Sequence, residues 1–226
     1  MTVPGRYAII PTHDRRTELA TCIAALSQQI DTLVVIDNAS DPPVDSFALL
    51  APAAELVILR DGEQPPNLSR LWNVGLDYVA KLAEAAGRQV WDVAILNDDA
   101  VVPPNWFTAC ATAMRAGTAV VACSGPHGPV QSPILKTKPD ADVWTRMCPH
   151  AFVTRGEVGL RSDETMRWWW FDADWDRRAR LSGGVQLITG YPTTNTCANS
   201  STVGVLAEQA GRDRARFAEL WGSCPW

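Results

Sequence analysis

Apolar and polar positions alternate in blocks along the first half of the chain, and the blocks have two different periods. Short apolar runs that end in polar residues or proline occur in "RYAIIPT", "TLVVIDNASDPP", "ELVILRDGEQPP" and "VWDVAILNDDA", a pattern typical of buried strands. Between them, "ELATCIAALSQQI" and "NLSRLWNVGLDYVAKLAEAAG" repeat their apolar residues at helical spacing, with Asn67 suited to an N-cap and Gly87 to a C-terminal cap. The alternation of strands and helices predicts βαβ units and an α/β fold with a mostly parallel central sheet.

The second half of the chain has a different pattern. Residues 124–150 hold five prolines and little periodicity, so we expect a long Pro-rich loop. "HAFVTRGEV" and "VQLITGY" predict strands, and "ETMRWWWFDADWDRRARLSGG" predicts an aromatic patch followed by a helix. The tail from about Val205 is predicted to be helical.

Composition narrows the class of protein. The 226 residues, 46% hydrophobic and 20% charged, are enough for one sizeable core and predict a single domain with a small appendage. A net charge of -5 disfavours a nucleic-acid partner, which a basic excess normally reveals. The six cysteines form no Cys-x-x-Cys pair, which argues against a zinc knuckle and a disulfide scaffold and favours buried thiols. The chain shows no apolar span of membrane length and no cleavage-site pattern, so we expect no transmembrane segment and a cytoplasmic protein.

Polar side chains follow three of the predicted strands at the point where each strand ends. Thr12 follows the first strand, Asp37 the second, and "NDD" at residues 97–99 the fourth. In open α/β sheets, ligands bind in the crevice beyond the carboxyl ends of the strands. The chain has neither a Gly-x-Gly-x-x-Gly nor a P-loop motif, so a bound nucleotide needs another counter-charge for its phosphates. A divalent cation on Asp99 would supply it.

Each of these positions also has a purely structural interpretation. Asp37 and its polar neighbours can build a turn, and Asp98 or Asp99 can end a strand and cap the helix of "PNWFTACATAM". Asp172 can be an N-cap, with Asp174 and Arg178 paired at i, i+4. The run Trp168 to Trp170 favours core or loop packing, although one indole can stack on a sugar ring. The three histidines show no ligand or triad spacing, which favours a solvated or structural role.

Five segments in order resemble the family 2 glycosyltransferases, which have the GT-A fold and transfer a sugar from a nucleotide-sugar to an acceptor hydroxyl. The resemblance covers roughly residues 6 to 205. "AIIPTHDRRTELATCIAALSQQ" is similar to the opening strand and helix, "VVIDNASDP" to the strand whose aspartate reads the base, and "NVGL" to the Asn-x-Gly-Leu helix. "AILNDDAVVPPNW" resembles the metal motif, and "WWWFDADWDRRARLSGG" resembles the segment usually written Glu-Asp-x-Asp-Leu-x-x-Arg, with Phe171 in place of the glutamate.

The resemblance implies roles for particular residues. Asp172 is expected to be the catalytic base of an inverting displacement, and Asp99 to ligate Mn²⁺ or Mg²⁺. The implied division is a nucleotide-sugar-binding half over 1–123, an acceptor and catalytic half over 124–204, and a helical tail over 205–226. The remaining expected contacts are to the donor (Thr12, Asp37, Asn38, Asn73, Asn97, Asp98, Asp99) and to the acceptor (Trp169, Trp170, Asp174).

The chain departs from the family pattern at the metal site. The motif is commonly Asp-x-Asp, whereas here Asn97 takes the first position. The late histidine of many members is missing from "NTCANSSTVG", where Asn195 or Asn199 can serve as a weaker oxygen ligand. Two alternatives therefore stay open: a catalytically inactive GT-A module that binds sugar or protein, and a nucleotidylyltransferase, which "PTHDRRTE" disfavours because it lacks glycines.

Overall fold

The computed structural model describes residues 4–45, 54–125, 130–139, 145–196 and 204–222. The α-helices in these ranges are α1 (Arg16–Leu26), α2 (Leu68–Ala85), α3 (Trp106–Arg115), α4 (Phe171–Leu181) and α5 (Val205–Trp221). The strands are β1 (Gly5–Thr12), β2 (Thr32–Asn38), β3 (Glu55–Asp61), β4 (Trp91–Leu96), β5 (Ala100–Val101), β6 (Val121–Cys123), β7 (Ile134–Lys136), β8 (Ala151–Arg155), β9 (Val185–Leu187) and β10 (Thr194–Asn195). The strands and helices predicted for the first half are thereby confirmed.

The main sheet has eight strands in the order β3-β2-β1-β4-β8-β6-β9-β7. The first four strands of this order are mutually parallel, as βαβ units require. The strand β8 then runs antiparallel between β4 and β6, and β7 runs antiparallel at the far edge. A separate antiparallel pair joins β10 to β5.

The alternation of side chains along the central strands produces one hydrophobic core on each face of the sheet. Ile9 and its equivalents on β2 and β4 pack with α2, α4 and α5, whereas Ile10 and its equivalents pack with α1 and α3. Gly75 of α2 lies so close to β1 that an added Cβ would come within 2.5 Å of the Ile9 side chain. The glycine of the "NVGL" segment thus allows this helix to approach the sheet.

Several local expectations are confirmed and others are wrong. Asn67 does cap α2, since its side chain accepts from the Arg70 amide at 3.1 Å, and Gly87 follows the helix with φ +65°. The helix α4 begins at Phe171, so Asp172 lies in its first turn and is not its N-cap. Asn105, not an aspartate of the "NDD" segment, precedes α3.

The Pro-rich segment and the cysteines can be assessed only in part. The segment contains the short strand β7 at Ile134–Lys136, where no strand was expected. The thiols of Cys22, Cys110, Cys123 and Cys148 are buried and free, as predicted, whereas Cys197, Cys224 and Asn199 lie outside the described residues. Within the described ranges, none of the helices is both long and apolar enough to cross a membrane.

Candidate active site

The strand register brings the predicted polar residues to one edge of the sheet. Thr12 pairs in register with Asp37, and Asn38 with Asp61, at the ends of β1, β2 and β3. On the other side of β1, the strand β4 ends at Leu96 and is followed by the "NDD" segment. The carboxyl ends of four parallel strands therefore form one polar edge, the place where such sheets bind ligands.

The aspartate pair after β4 is buried and hydrogen-bonded. Asp98 is 7% and Asp99 4% exposed. The Thr12 hydroxyl donates to Asp98 Oδ2 at 2.8 Å, and Arg15 Nη1 lies 3.4 Å from Asp98 Oδ1 and 3.1 Å from Asp99 Oδ2. Burial raises the pKa of Asp98 to about 6, although Thr12 and Arg15 oppose the shift. Burial also raises the pKa of Asp99, against the charge of Arg15.

One oxygen of this pair has no partner. Asp99 Oδ1 is buried and lacks a hydrogen bond, whereas the backbone carbonyl of Asp99 accepts from the Thr196 amide and hydroxyl at 3.0 and 3.1 Å. Within the described ranges, no group of three His, Cys, Asp or Glu side chains can enclose a metal ion. Cations at phosphate sites commonly use only one or two protein carboxylates together with the phosphates of the ligand. The donor set at Asp99 fits that kind of cation.

His150 is a neighbour of Asp99 that sequence reasoning missed. Its ring Nε2 lies 3.1 Å from the Thr193 hydroxyl and 3.4 Å from the Cys148 thiol. Burial on its own lowers the pKa of the imidazole, but Cys148 and the charge of Asp99 raise it above its ordinary value. A long-range contact of this kind leaves no spacing signal, because β8 is inserted beside β4 from a distant part of the chain.

Asn97, a predicted donor contact, and Asn195, a candidate metal ligand, lie at this edge. The Asn97 backbone amide donates to the carbonyl of His150 at 3.0 Å, and its carbonyl accepts from Ala100 at 3.2 Å. Asn195 is exposed on β10, opposite Ala100 of β5. Of the segment in which many family members carry a histidine, the described residues Asn195 and Thr196 lie beside Asp99.

Asp37 lies beneath a cleft at the ends of β2 and β3. Its carboxylate accepts from the amides of Ser40 at 3.1 Å and Val44 at 2.9 Å and forms an ion pair with Arg60. Burial raises its pKa, but these hydrogen bonds and the charge of Arg60 outweigh burial and hold the pKa below the usual value. Asp37 thus does build the turn that the structural interpretation predicted. The cleft has a volume of about 230 Å³ and is lined by Asp37, Ala39, Ser40, Pro43, Arg60, Asp61 and Gly62.

Two of the three asparagines predicted to contact the donor, Asn38 and Asn73, have protein partners for their side chains. Asn38 Nδ2 donates to Asp61 Oδ1 at 2.9 Å and to the Glu63 carbonyl at 3.1 Å, which ties β2 to the segment after β3. Asn73 exchanges hydrogen bonds of 3.0 and 2.9 Å with the backbone of Ser162. Asn73 thereby joins α2 to the loop before the aromatic run, and its contact with the donor stays a prediction.

The two carboxylates of α4 with predicted roles, Asp172 and Asp174, have opposite environments. Asp172 keeps 17% of its side chain exposed, and its Oδ2 lies 3.7 Å from Arg146 Nη1. Asp174 is fully buried and forms the expected ion pair with Arg178 at 2.6 Å, while Trp221 Nε1 donates to its other oxygen at 2.9 Å. Both oxygens of Asp174 are engaged inside the protein, which leaves neither of them for the predicted contact with the acceptor.

The aromatic run is held by a residue of α5 that the sequence did not single out. The carboxylate of Asp213 accepts from the backbone amides of Arg167, Trp168 and Trp169 at 3.1, 2.8 and 2.8 Å. The Trp170 ring packs against Phe217 with centroids 5.3 Å apart and is 7% exposed. Trp170 therefore packs in the core, whereas Trp169 is partly buried at its margin.

The chain belongs to glycosyl transferase family 2, whose model matches residues 7–178. The protein is accordingly a glycosyltransferase, and the transfer of sugar from nucleotide-sugars is the activity of its class. The matched range contains the strand-end residues and Asp172 and Asp174 of α4. Among curated proteins, none matches the chain.

Three solved structures of S. aureus TarS are similar to the chain. Its fragment 1–349 is 12% identical with a TM-score of 0.62, over 95% of this chain and 70% of the fragment. The same fragment in complex with UDP-GlcNAc gives 12% and 0.61, over 95% and 71%. The longer TarS structure gives 13% and 0.66, over 95% of this chain and 39% of TarS. At this identity the likeness concerns the fold, and with the family match it confirms the predicted GT-A fold.

Proposed function

We propose that this chain transfers a sugar from a nucleoside-diphosphate sugar to an acceptor hydroxyl with inversion at the anomeric carbon, assisted by a divalent cation. The observation that carries the proposal is the buried Asp98–Asp99 pair at the polar strand edge, with the unpartnered oxygen of Asp99. Because TarS has been solved with UDP and with UDP-GlcNAc, uridine nucleotides are the first donors to test. The cytoplasmic location and the division into two halves remain predictions.

The donor is proposed to lie across the strand ends. The cleft of about 230 Å³ over Asp37 is smaller than the roughly 300–1,000 Å³ of pockets that enclose a whole ligand, so it suits one part of the donor, the base and ribose. The diphosphate then lies toward Asp99, near Thr12. A cation bound there would neutralise the charge that develops on the leaving diphosphate.

Asp172 is proposed to take the proton of the acceptor. The acceptor oxygen forms a bond to the anomeric carbon while the bond to the phosphate oxygen breaks, and that electron pair leaves with the nucleoside diphosphate. The hydroxyl proton passes to the Asp172 carboxylate. Its place in the first turn of α4 suits a negative charge, since the helix dipole is positive there, and Arg146 at 3.7 Å helps to fix its orientation.

The base assignment is tested by two isosteric variants. Asp172→Asn is expected to keep its melting temperature and its affinity for UDP-GlcNAc but to lose about 10²–10⁴ in turnover, the usual contribution of a general base. Asp174→Asn is expected to lower the melting temperature, because the neutral amide leaves Arg178 without its buried counter-charge. Release of UDP from UDP-GlcNAc, with water in place of the acceptor, measures turnover.

The outcomes separate the competing accounts. Near wild-type turnover in Asp172→Asn contradicts the assignment, and a selective catalytic loss in a stably folded Asp174→Asn moves the base two residues along. If the wild-type protein binds UDP-sugars but turns none over, it is a binding module, and the proposed transfer is wrong.

A further inference from the structure

A cationic side chain touches both carboxylates of the strand edge. Arg15 lies in the loop between β1 and α1, with Nη1 at 3.1 Å from Asp99 Oδ2 and 3.4 Å from Asp98 Oδ1. Its side chain is 33% exposed, whereas the side chains of Asp98 and Asp99 are 9% and 5% exposed. A partly solvated cation thus flanks a buried acidic pair.

The contact has a clear electrostatic reason in the donor-free protein. Two adjacent buried carboxylates are costly without a counter-charge, and Arg15 provides one. The compensation is incomplete, because Asp99 Oδ1 remains buried without a hydrogen-bond partner. The pair therefore retains capacity for a stronger cation than one guanidinium.

A divalent cation and Arg15 compete for the same oxygens. Two positive charges on one carboxylate repel each other strongly where water is largely excluded, so binding of the ion would favour departure of the guanidinium from Asp99. Its side chain is 33% exposed, so water already reaches the guanidinium that would move. The diphosphate that accompanies the ion offers oxygens that a guanidinium binds in bidentate fashion.

We propose that Arg15 is an exchangeable counter-cation: it neutralises Asp98 and Asp99 in the donor-free protein and transfers to the donor diphosphate when a divalent cation takes its place. The second half of this inference rests on the proposed function, whereas the first concerns the carboxylates alone. Because the exchange links two binding events, the cation and the nucleoside diphosphate must each strengthen the binding of the other. Arg15 is thus a positioning residue that makes the protein bind its metal chiefly together with its donor.

The experiment measures Mn²⁺ affinity from the electron paramagnetic resonance signal of free Mn²⁺, with and without UDP. Arg15→Met is expected to bind Mn²⁺ alone at least about 5-fold more tightly than the wild type, the lower end of typical couplings. The enhancement of Mn²⁺ affinity by UDP is expected to shrink in the same variant, because the released guanidinium no longer gains a phosphate partner. In an Asp99→Asn background the tightening should vanish.

Arg16→Met is the matched control. It removes the same charge one residue away, from a side chain whose guanidinium binds the carbonyls of Pro42 and Pro43 at 2.7 Å. If Arg16→Met tightens Mn²⁺ binding equally, the effect is one of net charge and the proposal is overturned. Unchanged or weaker Mn²⁺ binding in Arg15→Met also overturns it.

The failure of the proposed function would be seen separately. If UDP binds to none of the variants but Arg15→Met still tightens Mn²⁺ binding through Asp99, the counter-cation role is supported and the nucleotide donor is wrong. If UDP and Mn²⁺ bind with the same cooperativity with and without Arg15, the nucleotide donor is supported and the proposed exchange of Arg15 is overturned.

Discussion

At the scale of single residues, the polar side chains at the strand ends can have two roles, because they bond to other parts of the protein and also line the candidate site. Asp37 closes the turn after β2 through the Ser40 and Val44 amides and also lines the cleft over β2 and β3. The hydrogen bonds from these two amides and the ion pair with Arg60 hold the carboxylate in one orientation. Rigid placement allows the same residue to support the fold and shape the site.

Asp37→Ala tests the role of this cleft. The variant removes the acceptor of two backbone amides and the partner of Arg60, and we expect about a 10-fold or greater loss of UDP affinity, the effect of one hydrogen bond to a charged group. Calorimetric titration with UDP measures it. Asp31→Ala is the control, because Asp31 is an exposed carboxylate at the opposite end of β2. Unchanged affinity in a folded Asp37→Ala would remove Asp37 from the donor site.

The sequence predicted individual residues of this edge but not their partners. Thr12, Asp37 and the aspartate pair were found because each directly follows an apolar run, which is a local signal. Arg15 reaches the pair from the loop between β1 and α1. His150 reaches it because β8, which directly follows His150, pairs with β4. Asp174 shows the opposite case, since its i, i+4 partner Arg178 was predictable from helical spacing, whereas its contact with Trp221, 47 residues away, was not.

At the scale of elements, the helix α5 fixes the aromatic segment that leads into α4. The Asp213 carboxylate is fully buried and accepts from three consecutive backbone amides at residues 167–169. These hydrogen bonds attach the aromatic run to α5. They thereby also fix the start of α4, the helix that carries Asp172. The tail predicted to be helical is therefore part of the support of the candidate base.

Asp213→Ala should destabilise this region. Amides that lose their acceptor inside a protein cost about 1–3 kcal/mol each, and with partial rearrangement we expect a total of about 3 kcal/mol, or a fall of roughly 6–12 °C in melting temperature for a chain of this size. Asp213→Asn retains one acceptor oxygen and should fall less. Differential scanning calorimetry of the two variants checks the order. A melting temperature of Asp213→Ala equal to the wild type would show that α5 does not hold the aromatic run.

The elements that could not be predicted are short or were assigned to a loop. The strands β5 and β10 have two residues each, too few for a period to be visible. The strand β7 lies between prolines in a segment expected to be a loop. Long elements with a clear period, such as α2 with its Asn67 cap, were predicted well.

At the scale of the whole molecule, the parallel half of the sheet determines where the site lies. Four strand ends meet at one edge because β1 pairs with β2 on one side and β4 on the other. The antiparallel strand β8 then brings His150 beside Asn97. The parallel half followed from the alternation of strands and helices, whereas the insertion of β8 is a long-range pairing with no local pattern.

The central claim is that Asp99 joins a divalent cation to a nucleotide donor at this edge. Calorimetric titration of UDP-GlcNAc into the wild type and Asp99→Asn, each with Mn²⁺ and with EDTA, tests it most directly. The wild type is expected to bind at least about 10-fold more tightly with Mn²⁺, a coupling of about 1.4 kcal/mol. Asp99→Asn should lose that gain and bind as the wild type does in EDTA. Identical responses of the two proteins to Mn²⁺ and to EDTA would contradict the claim.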